Sequence, residues 1–410
     1  MMNVSQREVM ELIEADDIKF IRLAFCDIFG VQKNVSIHAS ELERAFTSGI
    51  AFDASSICGF QAPSHSDLFL FPDPSTMMLL PWRPSRGGVA RFFCEIRNPD
   101  GTPFSADTRR FLADTEKLLW EHDLCCDIGA ECEFYLFKLD ENGNRTDIPL
   151  DRAGYFDIAP EDCGENVRRE ICLTLESMGI QPERSHHEQG PGQNEIDFRY
   201  STALNAADNV ITFKQVVRTI AARNGLWASF LPKPIENEAG NGFHINCSLV
   251  RASDGAVPED AVNLAFMAGI MEHIPAMTAV LNPLDSSYAR LGKEKAPDRV
   301  SWSPNNRSQL IRIPAADENH QRMELRSPDA SANPYLAFAL IMRAGLDGIL
   351  RHLTPPAPCN EDLLQCPEGI RTQYPALPLS LSEARCKMCE SGFIKEVLPA
   401  HLFSAYAEQG

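Results

Sequence analysis

Positive charge is scarce in this chain of 410 residues. Lysine and arginine together number 38 against 57 acidic residues, which leaves a formal net charge of −19 at pH 7. This balance argues against nonspecific binding to DNA, RNA or anionic lipid, although a local basic pocket could still hold phosphates. The composition therefore predicts small-molecule partners, with no nucleic acid and no membrane.

Long apolar runs and ordered cysteines are also lacking. No segment has eighteen uninterrupted apolar residues, and the polar, acidic start of the chain lacks the basic and apolar regions of an export signal. The 13 cysteines are an odd number without a repeating framework, as expected for reduced thiols. The single C-x-x-C, Cys386 to Cys389, has no second pair to complete a zinc site. We expect a cytoplasmic protein.

Two common signatures of catalysis are missing as well. No glycine-rich segment has the spacing of a P-loop or a dinucleotide fingerprint, so any ATP site must be of another type. Serine, histidine and aspartate occur, but no nucleophile elbow frames them. The charged residues of the predicted strands are therefore the better guide to function.

The length favours one large domain and one smaller domain. The turn signal Asn98-Pro99-Asp100-Gly101 follows a predicted strand and sets the boundary, with domains at residues 1–103 and 104–410. In the first domain, residues Ile18 to Val35 alternate apolar and polar positions and predict an antiparallel hairpin. The second domain alternates helical patterns with strands, and residues from Leu381 onward are predicted to be mostly helical.

The most informative predicted strand is GAECEFYLF, from Gly129 to Phe137. Because successive side chains of a strand point to opposite faces, Glu131 and Glu133 share one face. Two buried carboxylates at such a short separation must be protonated, bridged by a cation or open to water. The strand is therefore either half of a metal site or a half-exposed strand with two solvated glutamates.

Polar faces recur along the later strands. These faces and the loops beside them carry further candidate ligands, Glu188, Glu195, His244 and Glu324, and a set of arginines, Arg290, Arg307, Arg312, Arg322 and Arg326. Carboxylates with one histidine and no cysteine suit Mg²⁺ or Mn²⁺ better than zinc. Metals beside arginine forks indicate a substrate with many negative oxygens, most economically a nucleoside triphosphate plus an acid. The alternative is a set of surface salt bridges.

Seven ordered blocks of the sequence resemble the type I glutamine synthetase family, namely FDASSICGF, GAECEFYLF, HHEQGPGQNEI, KPIENEAGNGFHINCSL, NPLDSSYARL, NNRSQLIRIP and RMELRSPDASANPYL. The resemblance extends from about Ile18 to about Leu381. It implies an α+β fold, with a small amino-terminal β-grasp domain before a large α/β catalytic domain whose sheet is mostly antiparallel. It also implies a homo-oligomer, a hexameric ring or a double-ring dodecamer, with active sites between subunits.

The resemblance further implies roles for individual residues. One metal would be held by Glu133, Glu188 and Glu195, and another by Glu131, His244 and Glu324. The implied nucleotide-binding residues are Ser248, Arg307, Arg312 and Arg322, and the implied glutamate-binding residues are Arg290, Gly240, His244 and Arg326. The implied catalytic residues are Arg312, Arg326 and Asp53, the last contributed by a neighbouring subunit to take a proton from ammonium. Two or more Mg²⁺ or Mn²⁺ ions and ATP would convert glutamate to γ-glutamyl phosphate, from which an amine displaces phosphate.

Four departures from the family pattern bear on specificity and assembly. Ala239 replaces an asparagine that helps to hold the amino group of glutamate. Lys295, with Glu294 beside it, replaces a glutamate in a predicted mobile loop, residues 282–299, that is one residue short. Asn246 replaces the second histidine of His-x-His. The chain ends at Gly410, before the usual carboxy-terminal helices, which leaves ring stacking and adenylylation open.

Three functions remain in view. The leading interpretation is glutamine synthetase, an ATP-dependent glutamate–ammonia ligase. The first alternative is a γ-glutamyl ligase that uses an organic amine or polyamine, which Ala239 and Lys295 favour because a lysine would repel ammonium. The second alternative is a catalytically inactive regulatory paralogue, against which the presence of all six metal ligands argues.

Overall fold

Two β-sheets organise the residues that the computed structural model describes, which are 6–83, 86–314 and 322–408. The first sheet has the strand order β2-β1-β6-β4-β3, and β5 pairs with β6. Its strands are β1 (Ile18–Cys26), β2 (Gln32–His38), β3 (Ile50–Asp53), β4 (Asp67–Pro72), β5 (Met78–Leu79) and β6 (Gly88–Arg97). The antiparallel pairing of β1 with β2 confirms the predicted hairpin. Strands β1 and β6 are parallel.

The second sheet has ten strands in the order β14-β15-β16-β13-β7-β10-β9, with β8, β11 and β12 also paired to β7. The strands are β7 (Leu124–Leu139), β8 (Arg145–Pro149), β9 (Pro182–His187), β10 (Gln193–Phe198), β11 (Ser201–Thr202), β12 (Leu226–Ser229), β13 (Phe243–Arg251), β14 (Trp302–Pro304), β15 (Ile311–Ile313) and β16 (Met323–Leu325). Apart from the parallel pair β14–β15, the pairings are antiparallel. The prediction of a mostly antiparallel sheet is therefore confirmed.

Twelve α-helices lie in the described part of the chain. They are α1 (Gln6–Ala15), α2 (Leu42–Ser48), α3 (Thr108–Glu121), α4 (Glu165–Ser177), α5 (Ala203–Arg223), α6 (Asp260–Leu281), α7 (Asp285–Tyr288), α8 (Pro334–Leu350), α9 (Glu368–Arg371), α10 (Leu381–Glu390), α11 (Gly392–Val397) and α12 (Ala400–Glu408). Helix α3 begins after Asp107, whose side chain accepts the Arg110 N–H, and α8 begins after Asn333, which accepts the Tyr335 N–H. Helices α10 to α12 confirm the helical carboxy-terminal prediction, although Gly410 lies outside the described residues.

Helix α6 is long and apolar enough to span a membrane by length and composition alone. In this fold, however, 78% of its most apolar window is buried. It packs against α8, and the contact requires glycine, because a Cβ atom on Gly269 would lie 2.1 Å from the Ala344 carbonyl oxygen. Helix α6 is therefore a core helix of this fold.

The alternation of β7 separates an apolar face from a polar face. Phe134 points into the core, where its ring centroid lies 5.9 Å from that of Phe213 on α5. Glu131 and Glu133 point to the opposite face, as the sequence predicts. Helix α5 covers the apolar face of the second sheet, so the opposite face remains available for a site.

Candidate active site

A cavity of about 420 Å³ opens on the polar face of the second sheet. We call it the carboxylate pocket. It is lined by most of the residues that the sequence singles out, namely Glu131, Glu133, Glu188, Glu195, Gly240, His244, Arg290, Arg307, Arg312, Arg322 and Arg326. Residues from β7, β10 and β13 and from several loops converge there. The structure therefore brings together side chains that lie far apart in the sequence.

Three predicted residues lie outside the lining of this pocket. Glu324 is directly behind it, 1% exposed, in contact with lining side chains. Ser248 is on β13, in register with Asp127. Asp53 ends β3 in the first sheet and is exposed; its carboxylate accepts the Ser55 N–H at 2.8 Å. Within one chain, Asp53 is therefore not part of the pocket.

One cluster of candidate metal ligands joins three neighbouring strands. The sheet register places His244 opposite Glu131, and Asn246 opposite Glu324. One ligand atom from each of Glu131, His244 and Glu324 lies within 4.8 Å of the others. His244 Nδ1 is 3.3 Å from Glu131 Oε2 and 3.7 Å from Glu324 Oε1. The structure therefore assembles one of the two predicted ligand sets.

The charges of this cluster are partly balanced within the protein. Burial alone would raise the pKa of Glu131, but the contact with His244 and the hydrogen bond from Asn246 Nδ2, 3.0 Å long, lower the pKa to about 2. Burial likewise opposes the lowered pKa of Glu324, which results from Arg326 and His244. Arg312 Nη1 donates to Glu324 Oε2 at 2.8 Å, and Arg326 contacts the other oxygen. Glu324 thus holds two arginines beside the cluster.

A second cluster contains a residue that sequence analysis missed. His186, Glu188 and Glu195 each offer a ligand atom within 4.8 Å of the others. His186 Nε2 lies 2.9 Å from Glu188 Oε1 and 3.7 Å from Glu195 Oε2. His186 stands in the strand β9, opposite Glu195. The adjacent pair of histidines before Glu188 was the available signal, because in a strand only one of the two can face the pocket.

Glu133 lies beside the second cluster, opposite Glu195 in the register of β7 and β10. Its Oε2 accepts the Gly242 N–H at 2.7 Å and the Gln193 side-chain amide at 3.0 Å. Burial raises the pKa of Glu133, and burial together with neighbouring carboxylates raises that of Glu195. These two acids are short of positive charge, and a divalent cation between carboxylates fits that deficit.

The loop before β13 brings backbone close to the pocket. A Cβ atom on Gly242 would lie 2.9 Å from both Arg290 Nη2 and His244 Nε2, and one on Gly240 would lie 2.5 Å from the Pro232 carbonyl oxygen. Only glycine fits at position 240, where the close atom belongs to the backbone, and a larger residue at 242 would have to displace Arg290 and His244. Arg290 is buried and donates to the Ser327 carbonyl at 2.8 Å, which fixes its guanidinium at the pocket wall.

The residues that depart from the family pattern line the same pocket. Lys295 Nζ lies 4.9 Å from the centre of the Tyr155 ring, a cation–π distance. Tyr155 stacks on Phe156 at 4.0 Å, and Phe156 is 59% exposed. Ala239 contributes its carbonyl oxygen to Tyr135 Oη–H at 2.5 Å. Sequence analysis did not single out Tyr155 or Phe156, which form an aromatic wall at the pocket.

Fold and pocket together define an α+β protein with a smaller sheet before a larger one that carries the carboxylate pocket. Residues 17–99 match the family model "Glutamine synthetase, beta-Grasp domain", and residues 105–409 match "Glutamine synthetase, catalytic domain". The chain belongs to the glutamine synthetase family. The resemblance seen in the seven sequence blocks is confirmed.

Curated relatives match almost the whole chain. A glutamine synthetase of Clostridium saccharobutylicum is 45% identical and covers 99% of this chain and 94% of its own length. A glutamine synthetase of Methanosarcina mazei is also 45% identical, covering 98% and 92%. The solved structure of a GmaS–ADP complex superposes with a TM-score of 0.89 at 30% identity, covering 98% of this chain and 94% of that one. The family implies use of ATP and a divalent metal.

Proposed function

We propose that this protein is a glutamine synthetase, which uses ATP to join ammonia to the γ-carboxylate of glutamate. The observation that carries the proposal is one ligand cluster at the carboxylate pocket: Glu131 and His244 in its lining and Glu324 directly behind it lie within 4.8 Å of one another, beside arginines. Acids that can hold a cation, next to guanidinium groups, suit phosphoryl transfer between two anions. The names of the curated relatives support the same activity.

The pocket residues divide into three proposed tasks. Glu131, His244 and Glu324 would hold one Mg²⁺ or Mn²⁺ ion, and Glu133, Glu188 and Glu195 another. Bound metal would neutralise phosphate charge and orient the nucleotide. Arg307, Arg312 and Arg322 would bind phosphate oxygens, with Ser248 at the nucleotide. Arg326 would meet the transferred phosphoryl group, and Arg290 and Gly240 would position glutamate. His186 extends the second ligand set.

A ring-shaped homo-oligomer follows from the same proposal. Asp53 is exposed on the first sheet and is absent from the pocket lining of its own chain. If Asp53 accepts the proton of ammonium, a neighbouring subunit must supply it. The proposed assembly is a hexameric ring or two stacked rings in the cytoplasm, and its mass in solution tests it.

A γ-glutamyl ligase acting on an organic amine is the second candidate. Lys295 places a positive charge on the pocket wall, above the ring of Tyr155. A cation there disfavours ammonium, whereas the exposed Phe156 offers apolar surface to an alkyl group. The same pocket and phosphoryl transfer would serve both reactions, so only the incoming amine differs.

One experiment separates the candidates. Purified protein is incubated with Mg²⁺-ATP and glutamate plus ammonium, methylamine, ethanolamine or a polyamine, and phosphate release is measured. We expect the highest kcat/KM with ammonium. Faster turnover with an organic amine would replace the first candidate by the second. Absence of metal-dependent turnover with every amine would favour an inactive regulatory paralogue.

A further inference from the structure

A second cavity, of about 210 Å³, lies between the first sheet and helix α5, outside the carboxylate pocket. We call it the arginine cavity. Its polar lining comprises Arg22, Arg83 and Arg91 together with the amides Gln32, Asn34 and Gln215. Carboxylates do not contribute to the lining among the described residues. Three guanidinium groups around one small space are unexpected in a chain with a net charge of −19.

Two of the arginines come from adjacent parallel strands. Arg22 on β1 stands directly opposite Arg91 on β6 in the sheet register. Like charges on directly opposite residues destabilise a sheet. The arrangement therefore needs a compensating negative group, yet within the described residues no carboxylate forms an ion pair with Arg22, Arg83 or Arg91.

Arg91 is the most deeply buried of the three, at 2% exposure. Its contacts are to neutral groups, since Nη1 donates to Thr212 Oγ1 at 2.7 Å and Nη2 to Met78 Sδ at 3.4 Å. The guanidinium carbon also lies 4.0 Å from the centre of the Phe93 ring. Among the described residues, Nε has no hydrogen-bond partner. A buried cation with an unsatisfied donor is costly unless an anion approaches it.

The nearby acid is already engaged elsewhere. Asp208 on α5 accepts Arg109 Nε at 3.0 Å and Arg109 Nη2 at 2.9 Å, one on each carboxylate oxygen. Tyr335 Oη–H adds a further hydrogen bond at 2.7 Å. Arg109 is therefore neutralised by Asp208, while the arginine cavity lacks an equivalent acid.

We propose that the arginine cavity binds a small oxyanion of double negative charge, a phosphate or a dicarboxylate, at a site separate from the carboxylate pocket. Guanidinium forks recognise phosphate and carboxylate oxygens in the same bidentate geometry. The cavity volume of 210 Å³ suits such small ions. Because the lining belongs to β1, β2, β6 and the segment after β5 on one side and to α5 on the other, the bound ion joins the first sheet to a helix that packs on β7 of the second sheet.

Calorimetric titration of the full-length protein tests this site. The probes are inorganic phosphate, succinate and glutarate at constant ionic strength, with saturating Mg²⁺-ADP present to occupy a nucleotide site in the carboxylate pocket. We expect saturable binding of at least one probe, and the probe that binds identifies phosphate or dicarboxylate as the source. Arg83→Gln and Arg22→Gln should each weaken that binding about tenfold or more.

Arg97→Gln is the matched control, because Arg97 is also on β6 but pairs with Glu95, outside the cavity. This variant should bind the probe like the unmodified protein. Arg83 is exposed, so its substitution should leave the fold intact, and thermal melting verifies this. Absence of saturable binding, or equal affinity in the Arg83 and Arg97 variants, would overturn the inference. The inference is independent of the proposed function, since neither the probes nor the variants involve turnover.

Discussion

The carboxylate pocket and the arginine cavity hold buried charge in opposite ways. In the pocket, charges of both signs are adjacent, as where Arg312 and Arg326 share Glu324. In the cavity, Arg91 contacts only neutral groups among its described neighbours. Each arrangement indicates the charge of the ligand that would balance it. The two ligand clusters of the pocket group carboxylates within 4.8 Å of one another and suit a cation. The cavity groups arginines without a carboxylate in the described part of its lining and suits an anion.

The pKa values of buried groups also differ between the pocket and the cavity. Burial lowers the pKa of Arg91 to about 10, and the charge of Asp208, which is paired with Arg109, opposes the shift only in part. In the pocket, neighbours of opposite charge outweigh burial at Glu131 and lower its pKa to about 2. A buried carboxylate with a close partner, such as Glu131, thus stays ionised, whereas burial disfavours the charged form of Glu133 and Glu195 in the pocket and of Arg91 in the cavity.

The largest expected effect is on the grouped charges. Glu324→Gln should reduce phosphate release in the ammonium assay by about 10³-fold or more, because it removes a proposed metal ligand and leaves Arg312 and Arg326 without their carboxylate. Glu272→Gln, at an exposed pair with Arg351, is the control and should keep normal activity. Normal turnover in the Glu324 variant, with an unchanged melting temperature, would contradict the pocket assignment.

The next largest effect is expected at the ion pair between Asp208 and Arg109, since Arg91 has no such ion pair among the described residues. Asp208→Asn should lower the free energy of unfolding by about 2–3 kcal/mol, because it removes the carboxylate that pairs with both Nε and Nη2 of a buried guanidinium and leaves only Asp73 among the described residues, at 3.1 Å, to pair with it. Asp114→Asn, at an exposed pair with Arg110, should cost less than about 1 kcal/mol. Chemical denaturation measures both changes.

A double-mutant cycle sharpens the contrast. The double variant of Asp208→Asn with Arg109→Met should show a coupling energy above about 1 kcal/mol. The double variant of Asp208→Asn with Arg91→Met should show a clearly smaller coupling energy. Equal coupling would mean that Asp208 also neutralises Arg91, and the arginine cavity would then not need an anion.

The third test uses the buried acid Asp107 and the pH dependence of the free energy of unfolding. Burial raises the pKa of Asp107 to about 6, although the Ile96 and Arg110 N–H groups and the charge of Arg109 oppose the rise and Glu95 adds to it. The folded state therefore binds a proton more tightly than the unfolded state between about pH 4 and 6. The free energy of unfolding should fall as pH rises through this window, by about 3 kcal/mol at most, and stay level above it.

Asp107→Asn should remove this component of the pH dependence. Denaturation curves at several pH values, compared with those of Asp100→Asn in an exposed turn, isolate it. A stability that rises with pH in the same way for both variants and the parent would show that Asp107 does not titrate in the folded protein.

Local periodicity predicted much of the second sheet and of its pocket. The two-residue repeat of β7 placed Glu131 and Glu133 on one face, and the same repeat placed His244 on β13. The sequence could not show that His186 lies opposite Glu195. The register of β9 and β10 depends on the geometry of the turn between them, which the alternation of apolar and polar residues does not predict.

The arginine cavity was still harder to foresee. Arg22 and Arg91 meet because β1 and β6 pair in parallel, and a parallel pairing joins segments that are distant in sequence. Gln215 reaches the same space from a helix of the other sheet. Composition revealed only the general scarcity of positive charge, so the clustering of arginines became visible only in the folded chain.

The smallest expected effect concerns Lys295, a cation at the wall of the carboxylate pocket. Lys295→Glu should raise kcat/KM for ammonium about tenfold relative to methylamine: both amines arrive as cations, but ammonium has one more N–H to donate to a carboxylate beside Tyr155, and the cation–π contact ends. Lys295→Met separates the loss of positive charge from the gain of negative charge, and Lys117→Glu on the exposed side of α3 is the control. If the ratio of ammonium to methylamine turnover in all three variants stays the same as in the parent, residue 295 does not select the amine.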